Sequence, residues 1–223
     1  MDTVRILHFS DVLCVWAYVS QVRIDELRRT FGEGVVVDCR FVSVFGDARG
    51  KIARTWADRG GAGAYRDHVA EIVGRFGHVE LHAETWRGDV PRSSLPSHLV
   101  LTAVRCLEAA GSCPSGSFDA FTWRVREAFF RDCLDVSSRE VLERLTDEAG
   151  LSTTAVATVL DSGEAHAALA ADLEAAREHE VRASPTLVFN EGRQRLTGNV
   201  GYRIIEANVR ELVENPAGQH SWC

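Results

Sequence analysis

The chain has 223 residues, of which 45% are hydrophobic and 26% charged, a composition that supports a buried core and excludes disordered and collagen-like chains. Its 25 basic and 32 acidic residues give a formal net charge of −7, with no lysine or arginine run longer than a pair, so nucleic acid is not expected as a partner. The opening residues lack a basic n-region, an apolar h-region and a small-residue cleavage site, and no stretch reaches the length of a membrane span. The expectation is a cytoplasmic protein with no membrane partner.

Residues Val4 to Phe9 alternate and are β-rich, Ser10 to Cys14 form a turn, and Val15 to Phe31 carries apolar residues at helical spacing. A second strand is expected over Val35 to Val44. From about Gly46 to Gly163 the pattern is helical only: a glycine-broken stretch through Gly60 to Gly63, then helices over Ala64–Phe76, Leu95–Ala110, Phe118–Cys133, Ser138–Ala149 and Thr153–Leu160. Strands return late. Glu164 to Glu180 is helical, Thr186–Phe189 and Gln194–Thr197 are short strands, and Tyr202–Val213 is a closing amphipathic helix. A β-α-β opening and an α-β-β-α ending around a helical block predict a sheet domain (1–45 plus 164–223) interrupted by an all-helical insertion (46–163).

The six cysteines, at 14, 39, 106, 113, 133 and 223, include no C-x-x-C pair, so neither a zinc ribbon nor a disulfide scaffold is indicated. Cys14 lies at the first strand-to-helix turn, where unpaired helical N–H groups and the helix dipole favour a thiolate; on this basis its pKa is expected to be depressed and Cys14 to react first among the thiols. Asp11 caps the turn or opposes that effect. The second feature is Ala183-Ser184-Pro185-Thr186, a proline entering an apolar strand, where a cis bond would leave the Ser184 backbone open to a substrate in the groove. A thiol at a strand-to-helix turn followed much later by proline-strand, strand and helix is the order of a thioredoxin-like domain.

The chain resembles the DsbA-like thioredoxin family, specifically its FrnE-like branch, which carries a helical insertion and is allied to 2-hydroxychromene-2-carboxylate isomerases and kappa-class glutathione transferases. Asp11-Val12-Leu13-Cys14-Val15-Trp16-Ala17-Tyr18 is similar to the family's D-x-x-C-P-W-C-Y, and Ser93 to His98 to its N-T-x-x-A-H. The resemblance continues through Ala128-Phe129-Phe130, Val141-Leu142, Ala176-Arg177-Glu178 and Ala183 to Thr186, and closes at Leu196 to Asn199. It implies a thiol-disulfide oxidoreductase built on an interrupted thioredoxin-like α/β fold. The departure is Ala17, which stands where the family has its second active-site cysteine. An internal C-x-x-C disulfide cannot form, so a mixed disulfide on Cys14 must be released by a thiol from outside the motif.

Within that reading Cys14 and Trp16 form the active turn, and His98 holds a thiolate or moves a proton. Ser184 and Pro185 shape the groove, and Thr197, Gly198 and Asn199 offer helix-start N–H groups to a carboxylate of a glutathione-like thiol. Cys39, Cys106 and Cys133 are expected in the core, the latter two on apolar helix faces, and Cys113 and Cys223 in exposed positions. Cys223 follows a polar tail that could fold back with Trp222 near Trp16, making it the candidate resolving thiol. His78 and His82 could share a face, but without a third ligand no metal is expected.

Three functions compete. The first is a monothiol oxidoreductase acting on a thiol or disulfide substrate, with no tightly bound cofactor. The second is an isomerase or transferase using glutathione or another low-molecular-weight thiol, and the third a non-catalytic binding or chaperone-like module.

Overall fold

Alternation along β1 (Val4–Ser10) gives the strand two faces: Val4, Ile6 and His8 point one way, Leu7 and Phe9 the other. The computed structural model describes residues 3–87 and 91–214. After β1 the chain turns into α1 (Val15–Phe31), which ends at Gly32, where φ is +50° and glycine avoids the penalty for a Cβ; Arg28 and Arg29 in the last turn suit the negative end of the helix dipole. The helix is the crossover that a parallel pair requires, because β2 (Val35–Phe41) then runs parallel to β1, with Val4 opposite Val35 and Ser10 opposite Phe41.

Helices follow: α2 (Ala48–Trp56), α3 (Gly61–Val73), α4 (Leu95–Ala109), α5 (Ser117–Phe130), α6 (Arg139–Glu148), α7 (Thr153–Asp161) and α8 (Glu164–Glu178). Several start on the capping residues their sequences offer, with Asp47, Ser138 and Ser152 accepting from Gly50, Val141 and Ala155 N–H. The chain closes through β3 (Thr186–Phe189), β4 (Gln194–Thr197) and α9 (Tyr202–Glu214).

All four strands form one sheet in the order β2-β1-β3-β4, with β3 antiparallel to β1 and to β4. On one face Val4, Ile6, Val35, Leu187 and Phe189 pack against Ile24 and Leu27 of α1 and Ile205, Val209 and Leu212 of α9. The opposite face buries Phe9, Val42 and Val188 with Ala176 of α8 and Val181. The largest core cluster joins the Cys14 turn and α1 to α2 through α8. Each fully buried Leu, Ile or Phe contributes roughly 1.5–3 kcal/mol relative to exposure.

Three sequence expectations need correction. β2 stops at Phe41 rather than Val44, because Val42 N–H makes the last bond to β1, at Ser10 O, and Val44 N–H then turns onto Val42 O. The segment before Gly60 forms α2, which starts on the Asp47 cap; Gly46 before that cap and Gly50 in the first turn weaken the helical pattern there. α5 ends at Phe130, so Cys133 does not lie on a helix face; it sits in the following turn with φ +56°.

Candidate active site at the head of helix α1

The end of β1 is held beside the entry to β3 by sheet register, since Phe9 opposes Thr186. That register brings Ser10-Asp11 against Ser184-Pro185, and Asp11 N–H donates to Ser184 Oγ at 2.9 Å across 173 residues of sequence. The Ser184–Pro185 peptide is cis. In the intervening turn Asp11 Oδ1 accepts from Leu13 N–H at 2.9 Å and Asp11 O from Cys14 N–H at 3.1 Å, which places Cys14 as the residue before α1. No side chain caps that helix end. The Cys14 thiol donates to Ser184 O at 3.1 Å, so the sulfur, the helix head and the proline entry share one place.

Asp11 organises the rest. Its fully buried carboxylate also accepts, through Oδ2, from Phe45 N–H at 2.8 Å and Ser94 Oγ at 2.9 Å, tying the β1 turn to the segment after β2 and to the head of α4. His98, also fully buried, receives Val12 N–H on Nε2 at 3.3 Å, sits 3.7 Å from Asp11 Oδ1 and stacks on Phe41. A ring nitrogen that accepts is unprotonated, and burial pushes the His98 pKa down, so the imidazole is neutral. Its hydrogen bond supports the turn behind the sulfur rather than the sulfur itself. Trp16 is half-buried in the first turn of α1.

The expected depression of the Cys14 pKa is not found. Cys14 is only 6% exposed, and burial pushes its thiol up, with the Asp11 carboxylate adding to the rise. Hydrogen bonding with the Ser184 side chain and with the backbone N–H groups of Ala17 and Trp16 opposes this without overcoming it. Desolvation of the thiolate outweighs the helix head because the neighbouring cover is apolar and aromatic: Phe45, Tyr65 and Trp86 form a ring cluster beside the turn.

The turn before α9 differs from expectation at Gly198. Gly198 N–H is taken by Pro185 O at 2.8 Å and Val200 N–H by Gly198 O, while Thr197 is tied into β4 opposite Thr186. The Gly198 N–H is thus spent within the protein. The positive group there is Arg23 of α1, which holds Asn199 Oδ1 and, at 2.8 Å, Val200 O. Sequence reasoning missed Arg23, whose link to position 200 exists only across the fold. Between this turn and the sheet a void of about 20 Å³, lined by His8, Ser20, Arg23 and Pro185, has room for one water-sized molecule. A separate cavity of about 270 Å³ among α4, α6 and α7 includes none of the Cys14-site residues in its lining.

Cys14, Cys39, Cys106, Cys113 and Cys133 are free thiols, and Cys113, expected to be exposed, is half-buried with its sulfur near Val104 O. Cys223 and Trp222 lie outside the described residues. His78 and His82 occupy irregular chain and point apart in their bonding, to Val19 O and to Glu84 N–H; no group of three metal-ligating side chains occurs among the described residues.

Residues 5–209 of the chain match the model of the DSBA-like thioredoxin domain. The chain belongs to the DSBA-like thioredoxin family. Among solved structures similar to it, a probable DsbA oxidoreductase from Streptomyces coelicolor is 20% identical over 99% of this chain and 93% of its own, with a TM-score of 0.72. A 2-hydroxychromene-2-carboxylate isomerase is 15% identical over 97% and 100%, TM-score 0.67. The cytosolic disulfide reductase DsbM from Pseudomonas aeruginosa is 18% identical over 96% and 98%, TM-score 0.64. At these identities the likeness establishes the fold. A search of curated proteins found no match to the sequence. Within the described residues no helix is long and apolar enough to cross a membrane.

Proposed function

We propose that this DSBA-like chain is a monothiol exchange protein of the FrnE-like type, acting in the cytoplasm on small thiols and disulfides through Cys14. The observation that carries the reading is the 3.1 Å bond from the Cys14 thiol to Ser184 O, with Ala17 fully buried where a partner sulfur would stand. Once deprotonated, Cys14 attacks one sulfur of R–S–S–R′, forming Cys14–S–S–R and expelling R′S⁻, which takes a proton from water. A second thiolate then attacks the adduct and returns the Cys14 thiol. No net oxidation occurs. Trp16 flanks the sulfur, Ser184 and Pro185 form the wall along which the substrate lies, and Asp11 and His98 hold the turn. The 6% exposure of Cys14 favours a small substrate such as a glutathione-like disulfide over a folded protein.

Intact-protein mass after treatment with oxidised glutathione tests this reading. One adduct, mapped to Cys14 and lost in Cys14→Ser, is the expected result; modification elsewhere with Cys14 untouched refutes it. A second reading is favoured by the raised thiol pKa, which leaves Cys14 protonated as a hydrogen-bond donor. In it a bound small thiol is the cofactor of an isomerase or transferase, and thiol-dependent turnover survives Cys14→Ser.

A further inference from the structure

Among the described residues Arg126 is the largest fully buried side chain, at 1% exposure on α5, whose Phe121, Val125 and Phe129 are buried as well. A guanidinium placed in a core costs several kcal/mol unless its charge is met. Its direct partners are neutral: Nη1 donates to Gln21 Oε1 at 2.6 Å and Nη2 to Ser10 Oγ at 2.9 Å, and Nε has no partner. Among the described residues no carboxylate is paired with it, and Asp119 is held by Arg28 at 2.9 Å.

Ser10 directly precedes Asp11, whose carboxylate is equally buried and also lacks a cation in contact. Through Ser10, the Arg126 guanidinium is therefore anchored one residue from Asp11, on the strand end that leads into the Cys14 turn. Burial pulls the Arg126 guanidinium down, and the groups that oppose this include Cys39, Cys14 and Asp11. The titratable and charged groups packed around the turn are Asp11 itself, Tyr65 of α3, His98 of α4 and Arg126 of α5. Of these, Arg126 alone is a cation at neutral pH. Cys39 lies within its reach too, but burial and then Asp119 push that thiol up to about 12, so it stays protonated.

We propose that Arg126 is the buried counter-charge of the Cys14 turn, offsetting the Asp11 carboxylate and stabilising negative charge on Sγ whenever that sulfur attacks or is expelled. Arg126 is a positioning residue that acts through the field at the sulfur. This deepens the exchange reading and rests on it for its use in a reaction cycle, although the field itself is there without any substrate.

The test follows iodoacetamide alkylation of Cys14 in the full chain between pH 6 and 10, resolved by peptide mass mapping, for wild type, Arg126→Met, Arg126→Lys and Gln21→Glu. Met keeps an unbranched chain of similar length without charge. Its profile is expected to move up by about one pH unit, which is about tenfold slower labelling below the thiol pKa. Arg126→Lys stays nearer wild type than Met does. Gln21→Glu sets a carboxylate against Nη1 while leaving Arg126 packed, and shifts the profile in the same upward direction; it decides the matter should Arg126→Met not fold. Superimposable profiles for Met and Glu, or equal shifts for Met and Lys, overturn the proposal. Alkylation needs no exchange chemistry, so a shifted profile with no disulfide adduct on Cys14 sinks the exchange function alone, and an adduct with unshifted profiles sinks the role of Arg126 alone.

Discussion

Ser94 Oγ donates to Asp11 Oδ2 at 2.9 Å across 83 residues of sequence, and that bond fastens the head of α4 to the turn carrying the reactive sulfur. Replacing Asp11 by Ala leaves Ser94 Oγ, Leu13 N–H and Phe45 N–H buried without their acceptor. Hydrogen bonds to a charged group are each worth about 1.5–3 kcal/mol, so a loss of at least ~3 kcal/mol is expected. Urea unfolding measures it, and a loss below ~1 kcal/mol would show that Asp11 does not hold the site together.

Ala17→Cys restores a second sulfur one helical turn after Cys14. Residues three apart at a helix start lie within the ~4.4–6.8 Å Cα range that a disulfide accepts. The variant is expected to shed a glutathione adduct rapidly as a 14–17 disulfide forms, whereas the wild-type adduct lasts longer, until a thiol from outside the motif reaches it. Equal adduct lifetimes by mass spectrometry would refute the assignment of Ala17 as the missing resolving position.

Cys223 is the proposed internal resolving thiol. Mild oxidation should yield a 14–223 linked peptide under non-reducing conditions, and Cys223→Ser should accumulate the external adduct. Absence of that linkage together with an unchanged adduct lifetime leaves release to a small cellular thiol.

Acid is expected to destabilise the fold from about the unfolded histidine value downward. Burial, followed by the Arg126 and Arg28 charges, lowers the His8 pKa from 6.5 to about 3, and burial lowers His98 as well. A depressed base is neutral in the folded state while the unfolded chain binds a proton. Stability is therefore complete above 6.5 and falls as pH drops toward 3, at up to ~1.4 kcal/mol per pH unit for each proton. His8→Leu should flatten the fall of Tm with acid; an unchanged slope would mean that His8 is charged in the folded protein.

Alkali acts with the opposite sign on Cys39. Its folded pKa is raised from 9.0 to about 12, by burial first and Asp119 second, so the folded state keeps a proton that the unfolded chain releases. The stabilisation is present below pH 9 and is lost on rising toward 12. Cys39→Ala should lose less stability over that window than wild type in a pH series of thermal melts. A parallel decline would place the alkaline sensitivity elsewhere.

The sequence by itself determined the order of elements and the chemistry available to them. Period-two alternation at Val4–Phe9, helical spacing from Val15 and the short apolar run Thr186–Phe189 are local patterns, and their order around Cys14 and Pro185 led to the family later matched over residues 5–209. Local pattern also settled that Ala17 leaves one sulfur in the motif. The tertiary structure decided the electrostatics, because burial and charge separation are properties of assembled elements. A helix head taken alone lowers a thiol pKa; aromatic cover from beyond β2 together with Asp11 reverses the sign at Cys14. His98 read as a partner of the sulfur until α4 aimed it at Val12 N–H. Arg126 and Arg23 look like surface cations in a linear reading, since nothing local in sequence says that α5 turns residue 126 into the core against Ser10 or that residue 23 meets residue 200. Helical periodicity can place a charge on a face, but only the packing of that face against a particular strand end gives the charge something to act on.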